Sequence, residues 1–223
     1  MRREGKRTIG LRIVSELLID STVHQMRAGF LLVVSVVFMV LALPAAAQSE
    51  ADDLSAGGFL VASRDLLDPN FHQTVVLLLD YSEEGALGVI INRPTQVELD
   101  QMMSDLESAW EGAGTVWVGG PVAHWQMVLL IRSTAALEGA ERVFEDVHFT
   151  ASRLVLEQML QSETEFRTYA GYAGWGAGQL EGEIERGSWH VLPGDSDMVF
   201  DEAPLELWRE LINRGEAQWA SLR

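Results

Sequence analysis

The chain has 223 residues, 48% of them hydrophobic and seven of them Trp, so it is large and apolar enough to build a core, and general disorder is excluded. Of its 16 basic and 33 acidic residues, six basic and three acidic precede position 48. The remainder carries 10 and 30, a net of −20 without a single Lys, and such a surface repels phosphate backbones and anionic lipid. Cysteine is absent, which removes disulfides, thiol catalysis, Cys-ligated zinc and a lipoprotein anchor from consideration.

In chain order, the first feature is a targeting signature. Phe30–Leu43 is apolar but for one Ser, Arg27 precedes it, and Pro44-Ala45-Ala46-Ala47 follows. A basic flank, a short apolar run and an Ala-x-Ala end predict a signal peptide over 1–47, cleaved after Ala47, with Met26 as an alternative start. The run is shorter than the roughly 20 residues of a spanning helix, although Ala28–Ala47 reaches that length. An uncleaved anchor is therefore the alternative, and the one membrane contact the sequence suggests. The expected location is periplasmic or secreted.

Gln48–Ala56 reads as a flexible acidic lead-in, and a domain is expected over 57–223. Phe59–Ala62 and Thr74–Leu79 are apolar runs of strand length, separated by Asp68-Pro69-Asn70 turn chemistry. Leu87–Asn92 returns from a turn at Ser82–Gly85 as the partner in a central hairpin. Arg93-Pro94-Thr95 is expected to stop that strand. Leu99, Met102, Met103, Leu106 and Trp110 share one face of a helix predicted over Glu98–Trp110. Strands follow at Thr115–Val118 and Gln126–Arg132, with Gly119-Gly120-Pro121 read as a tight turn between them. Arg142–Phe149 alternates partly and is expected as one edge strand. Ser152–Gln161 is expected as a helix burying Leu154, Val155, Met159 and Leu160.

Phe166–Tyr172 is predicted as a strand feeding a glycine-rich loop, and Gln179–Arg186 as a short helix with Gly187 just past its end. Trp189–Leu192 is a further strand. A last helix is expected with Pro204 at its first position and Gly215 after its end, capped by Asp201 or Ala203 and burying Leu205, Trp208, Leu211 and Ile212. The tail, Glu216–Arg223, adds at most a turn. Strands come in groups with helices inserted between them. The expected fold is α+β: a mixed, largely antiparallel sheet with helices packed on it, in a single compact domain after the signal segment.

The oddest composition lies at Tyr169–Glu185, where five of seventeen residues are Gly, with two Tyr and a Trp among them. Gly174-x-Gly176-x-Gly178 runs into the predicted short helix, whose free N–H groups suit an anion. It is neither a G-x-G-x-x-G fingerprint nor a P-loop, since no Lys follows. Packing of Tyr172 and Trp175 against nearby backbone is the structural alternative. Asn92 and Arg93 end a buried strand beside a loop, a common place for a site; pairing of Arg93 with one of many carboxylates is equally open.

Four stretches together carry a resemblance. Gly58-Phe-Leu-Val-Ala-Ser with Leu67-Asp-Pro-Asn-Phe-His-Gln-Thr-Val-Val-Leu-Leu is the first, and Glu84-Gly-Ala-Leu-Gly-Val-Ile-Ile-Asn-Arg-Pro94 the second. Val118-Gly-Gly-Pro-Val122 and Gly171-Tyr-Ala-Gly-Trp-Gly-Ala-Gly-Gln-Leu-Glu-Gly-Glu-Ile184 complete the set. In this order and spacing the chain from about Gly57 onward resembles the YqgE/AlgH family of bacterial proteins. The resemblance implies an α+β fold with a mixed sheet and no established enzymatic activity. Some members carry the label of transcriptional regulator without a recognisable DNA-binding motif. Two departures stand out. Family members are usually cytoplasmic, which is the alternative location here, and an acidic-basic segment usually follows Gly-Gly-Pro-Val, where this chain has Ala123-His124-Trp125-Gln126.

Searches for catalytic constellations return nothing. No Gly-x-Ser-x-Gly elbow occurs, and His72, His124, His148 and His190 stand singly without zinc-type spacing. Asp195-Ser196-Asp197 reads as a polar turn rather than a calcium loop, and Glu181, Glu183 and Glu185 as a solvated acidic face. No cofactor, metal or catalytic residue is assigned. The candidate contact or ligand surface comprises Asn92, Arg93, Gly120, Gly174, Trp175, Gly176, Gly178, Gln179 and Glu181. The expected function is an exported, non-enzymatic binding or regulatory module with a protein or small-molecule partner, direct DNA binding being disfavoured. The alternative is a small hydrolase using Asn92, Arg93 and the Gly174–Glu181 region.

Overall fold

In a computed structural model, which describes residues 54–103, 114–201 and 203–221, ten strands form one mixed sheet. They are β1 (Phe59–Ala62), β2 (Val75–Ser82), β3 (Gly85–Ile90), β4 (Pro94–Glu98), β5 (Thr115–Val118), β6 (Val122–Arg132), β7 (Glu141–Phe144), β8 (Val147–Thr150), β9 (Phe166–Gly176) and β10 (Trp189–Leu192). Five helices accompany them: α1 (Leu99–Met102), α2 (Arg153–Leu160), α3 (Gln179–Glu185), α4 (Ser196–Val199) and α5 (Pro204–Ser221). The main path of the sheet runs β10-β1-β2-β3-β9-β6-β8-β7, with β5 paired to β9 and β4 to β5. All pairings are antiparallel except β5 with β9. The expected α+β class with a mixed, largely antiparallel sheet is the one observed. Among the described residues no helix is long and apolar enough to cross a membrane. The expected signal segment and most of the lead-in lie outside the described residues; Leu54, the first of them, is buried in the core.

β9 is the spine. Along one edge it pairs with β6 from Phe166 to Tyr172. Along the other it pairs first with β5, Val116–Val118 against Thr168–Ala170, and then with β3, Gly88–Gly85 against Ala173–Gly176. The change of partner falls at Gly171, whose φ of +74° suits glycine. Through the gap runs Gly119-Gly120: Gly119 donates to Ala170 O and accepts from Ile90 N. A Cβ on Gly120 would lie 2.2 Å from the Tyr172 backbone, so the pair expected as a plain turn is a backbone crossing that only glycine permits.

Side-chain alternation buries both faces of the sheet. Val128 and Leu130 of β6 and Trp117 of β5 join the larger core with β1, β2, α3 and α5. Leu129, Ile131 and Val116 point the other way, onto Val155, Leu156 and Met159 of α2. β1 is buried throughout and β2 from Val75 to Leu79, as their unbroken apolar runs require.

Several expectations are corrected. β9 continues as strand through Gly176, so the glycine-rich segment is half strand and half helix entry rather than a loop. Its glycines are tolerated because Ala173 and Trp175 bury the inner face and β3 supplies the ladder. β3 ends at Ile90, ahead of Arg93-Pro94 as expected, and Pro94 then opens a new strand, β4, at a first position where its missing N–H is harmless. Of the helix expected over Glu98–Trp110, Glu98 belongs to β4, α1 follows, and the part beyond Met103 lies outside the described residues. Arg142–Phe149 is a hairpin, not one strand, because Glu145 turns the chain with φ +41°. α2 buries Leu156 and leaves Leu154 exposed.

The last helix runs past Gly215 to Ser221, while Leu222 and Arg223 of the expected tail lie outside the described residues. Gly215 lets α5 lie close on β10, since a Cβ there would stand 3.0 Å from that of His190. α5 buries Leu207, Trp208, Leu211 and Ile212, and Leu205 is 72% exposed. The buried positions center on i, i+1, i+4 and i+5, which turns Leu205 away from the sheet.

Candidate functional site

Two places gather the residues in question. The first is the corner where β9 enters α3. Here carboxylates expected on a solvated face are bonded inward. Glu183 Oε2 accepts from both indoles, Trp175 Nε1 at 3.0 Å and Trp189 Nε1 at 2.9 Å, and its Oε1 accepts from Gln179 Nε2. The two indoles meet edge to face, with Phe71 against both. Glu181 accepts from the Tyr81 hydroxyl at 2.7 Å. That bond, then burial, pushes the Tyr81 pKa up to about 12. Gln179 Oε1 accepts from Gly176 N. α3 is thus tied to β2, β9 and β10 by side chains that composition alone would assign to solvent.

The glycines of this corner divide by cause. Gly178 caps α3 in the left-handed region with φ +71°. Gly174 and Gly176 have neither requirement: a Cβ on Gly176 would meet nothing within 4 Å, and one on Gly174 only the Tyr172 ring at ordinary contact. Both are exposed.

The second place is an open cleft of about 680 Å³ between the β1–β2 connection, the β3–β4 junction and α5. Arg64, Arg93, Arg209, Asn213, Trp208 and Leu205 line it, together with Asn92, His72 and Gln73. Asn92 is buried and fully engaged. Its Oδ1 accepts from Val75 N and its Nδ2 donates to Gln73 O, both at 2.9 Å, which fixes the start of β2. Arg93 donates to the carbonyls of Asn70 (2.7 Å), His72 (3.0 Å) and Pro69 (3.4 Å). These carbonyls orient the guanidinium without neutralising it. Burial presses its pKa down, countered by Asp68.

Arg64 stacks over Trp208 at 5.7 Å and grips Glu216 with Nε at 2.8 Å and a second nitrogen at 3.2 Å. Arg64 also donates to Asn213 Oδ1. Arg209 pairs with Glu206 one turn earlier on α5. Both carboxylates sit outside the lining, and no lining residue is acidic.

Of the sequence-derived candidates, Asn92 and Arg93 belong to the cleft. Gly174, Trp175, Gly176, Gly178, Gln179 and Glu181 belong to the β9–α3 corner, and Gly120 to the crossing between them in the sheet. Arg64, Trp208, Arg209 and Asn213 were not singled out by sequence. The available signal was scarcity: three of the ten basic residues after position 47 line one cleft. Asp195 caps α4, accepting from Asp197 N and Met198 N, and Asp197 pairs with Arg132, so both carboxylates of that turn have partners. The segment that departs from the family pattern is where β6 bulges, with Ala123 at φ +49° and Trp125 83% exposed.

This architecture has known counterparts. Residues 59–220 match the family model DUF179, described as AlgH-like. The chain belongs to the AlgH-like family. A UPF0301 protein of Streptomyces avermitilis is 39% identical over 164 residues, covering 71% of this chain and 85% of the relative. A UPF0301 protein of Hahella chejuensis is 39% identical over 145 residues, covering 64% and 78%. The solution structure of AlgH from Pseudomonas aeruginosa superposes with a TM-score of 0.61 at 29% identity, covering 79% of this chain and 92% of that one. The crystal structure of DIP2367 from Corynebacterium diphtheriae shares the fold at 22% identity, with a TM-score of 0.62 over 72% and 87% of the two chains. None of these names states an activity.

Proposed function

We propose that this AlgH-like protein is an exported, non-enzymatic binding module whose ligand enters the arginine-lined cleft. The convergence of Arg64, Arg93 and Arg209, from three separate elements, on one cleft of a strongly acidic domain carries the reading. Export is the reading of the signal-like segment at 1–47. Groups a hydrolase would draw on hold structural partners. Asn92 holds two backbone partners, Glu181 holds Tyr81, and Glu183 holds two indoles. A general base must stand beside a nucleophile, and among the described residues no serine or threonine hydroxyl donates to either carboxylate, whose partners are tryptophan, glutamine and tyrosine side chains.

Two readouts of one preparation test this. Native cells expressing the chain with a C-terminal tag are fractionated, and the purified chain is exposed to the cell's small-molecule extract. The expected result is a chain beginning at Gln48 outside the cytoplasm that retains a small molecule unchanged, with retention lost in Arg209→Glu. An uncut chain confined to the cytoplasm contradicts export. Turnover of the retained molecule contradicts the non-enzymatic reading.

A further inference from the structure

Resting on the cleft as the binding site, we infer that its ligand is a small, compact anion with at least two carboxylate or phosphate groups. Arg64 comes from the connection after β1, Arg93 from the β3–β4 junction and Arg209 from α5, so only the fold brings the three side chains to one cleft. A guanidinium fork matches a carboxylate or phosphate edge through two parallel hydrogen bonds. The cleft volume of about 680 Å³ lies within the range of small-molecule sites.

Charge narrows the choice of ligand. From Gln48 onward the chain carries 30 acidic against 10 basic residues, so a long polyanion or an anionic bilayer is repelled by everything around the cleft, whereas a small anion meets mainly its lining. More than one anionic group is required because the cations are separate. Arg93 is held by carbonyls that leave its charge intact, and Arg209 forms an exposed pair with Glu206. Exposed pairs of that kind are weak and exchange readily for a better-placed anion. Arg64 is the most firmly gripped of the three, through Glu216, and serves with Trp208 as a wall. Leu205, exposed and turned away from the sheet, adds an apolar surface for the ligand body.

The test is calorimetric titration of the purified full chain, in low-chloride buffer, with citrate, inorganic pyrophosphate, glycerol and spermidine. Citrate or pyrophosphate is expected to bind once per chain, and which of them binds more tightly separates carboxylate from phosphate recognition. Arg209→Glu is expected to weaken that binding about tenfold while the melting temperature stays unchanged. Arg93→Lys, which keeps the charge but loses the fork, is expected to weaken it as well. Equal anion binding by wild type and Arg209→Glu overturns the inference. Saturation by glycerol or spermidine and not by the anions overturns the ligand class while leaving the cleft as the site. No binding of any probe, with unchanged small-molecule retention by Arg209→Glu, overturns both.

Discussion

The β9–α3 corner and the arginine cleft are built on opposite terms. At the corner an unusual composition closes on itself: two indoles share one carboxylate, a tyrosine holds another, and a glutamine side chain takes up a strand N–H. At the cleft three arginines from separate elements line open space. The difference teaches that local oddity of sequence reports what the backbone must tolerate. A binding surface reports itself only through what the fold assembles.

The comparison breaks most easily at the glycines. Gly120→Ala drives a Cβ to 2.2 Å from the Tyr172 backbone and is expected to cost about 3 kcal/mol or more, read as a large fall in denaturation midpoint. A near-native midpoint would mean that the crossing is not tight. Next in size is Glu183→Ala, which strands the Trp175 and Trp189 indole N–H groups. It is expected to lose about 2–3 kcal/mol and to alter tryptophan fluorescence, with Glu183→Gln recovering part of the loss.

A smaller effect concerns Tyr81. Its folded pKa of about 12 lies above the ordinary 10, so the bond to Glu181 contributes fully below pH 10 and is lost as pH rises through about 12. In a spectrophotometric titration Glu181→Gln is expected to move one tyrosine transition down toward 10, leaving buried Tyr169 high. If no transition moves, Glu181 does not hold the hydroxyl. Smallest is Gly176→Ala, expected to change stability by no more than about 0.5–1 kcal/mol, on the stabilising side, since nothing stands near its Cβ position. Set beside Gly120→Ala, it separates glycines that packing demands from those it does not.

Much of the fold was legible because its central strands are unbroken apolar runs. Phe59–Ala62, Val75–Leu79 and Val128–Ile131 can hardly be anything but buried strand once turns bound them. The end of β9 was not legible, because Gly174 and Gly176 read as loop while the evidence for strand lies in its partner β3. Gly215 misled in the opposite direction: a glycine near a helix end resembles a cap, and here it makes room for β10. Of the cleft, Asn92 and Arg93 were visible as a strand end. Arg64 and Arg209 lie 29 residues before and 116 after Arg93, too far apart for any spacing rule to join them. The bonding of Glu181 and Glu183 was hidden for a related reason, since their aromatic partners sit on β2, β9 and β10.

Backbone amide spectra of the labelled chain, followed through a titration with citrate, test the contrast between the two regions most directly. The account predicts shifts that saturate and cluster at Arg64, Gln73, Arg93 and Leu205–Arg209, with Gly174–Gln179 unmoved. Saturating shifts centred on Gly174–Gln179, with the cleft amides still, would contradict it.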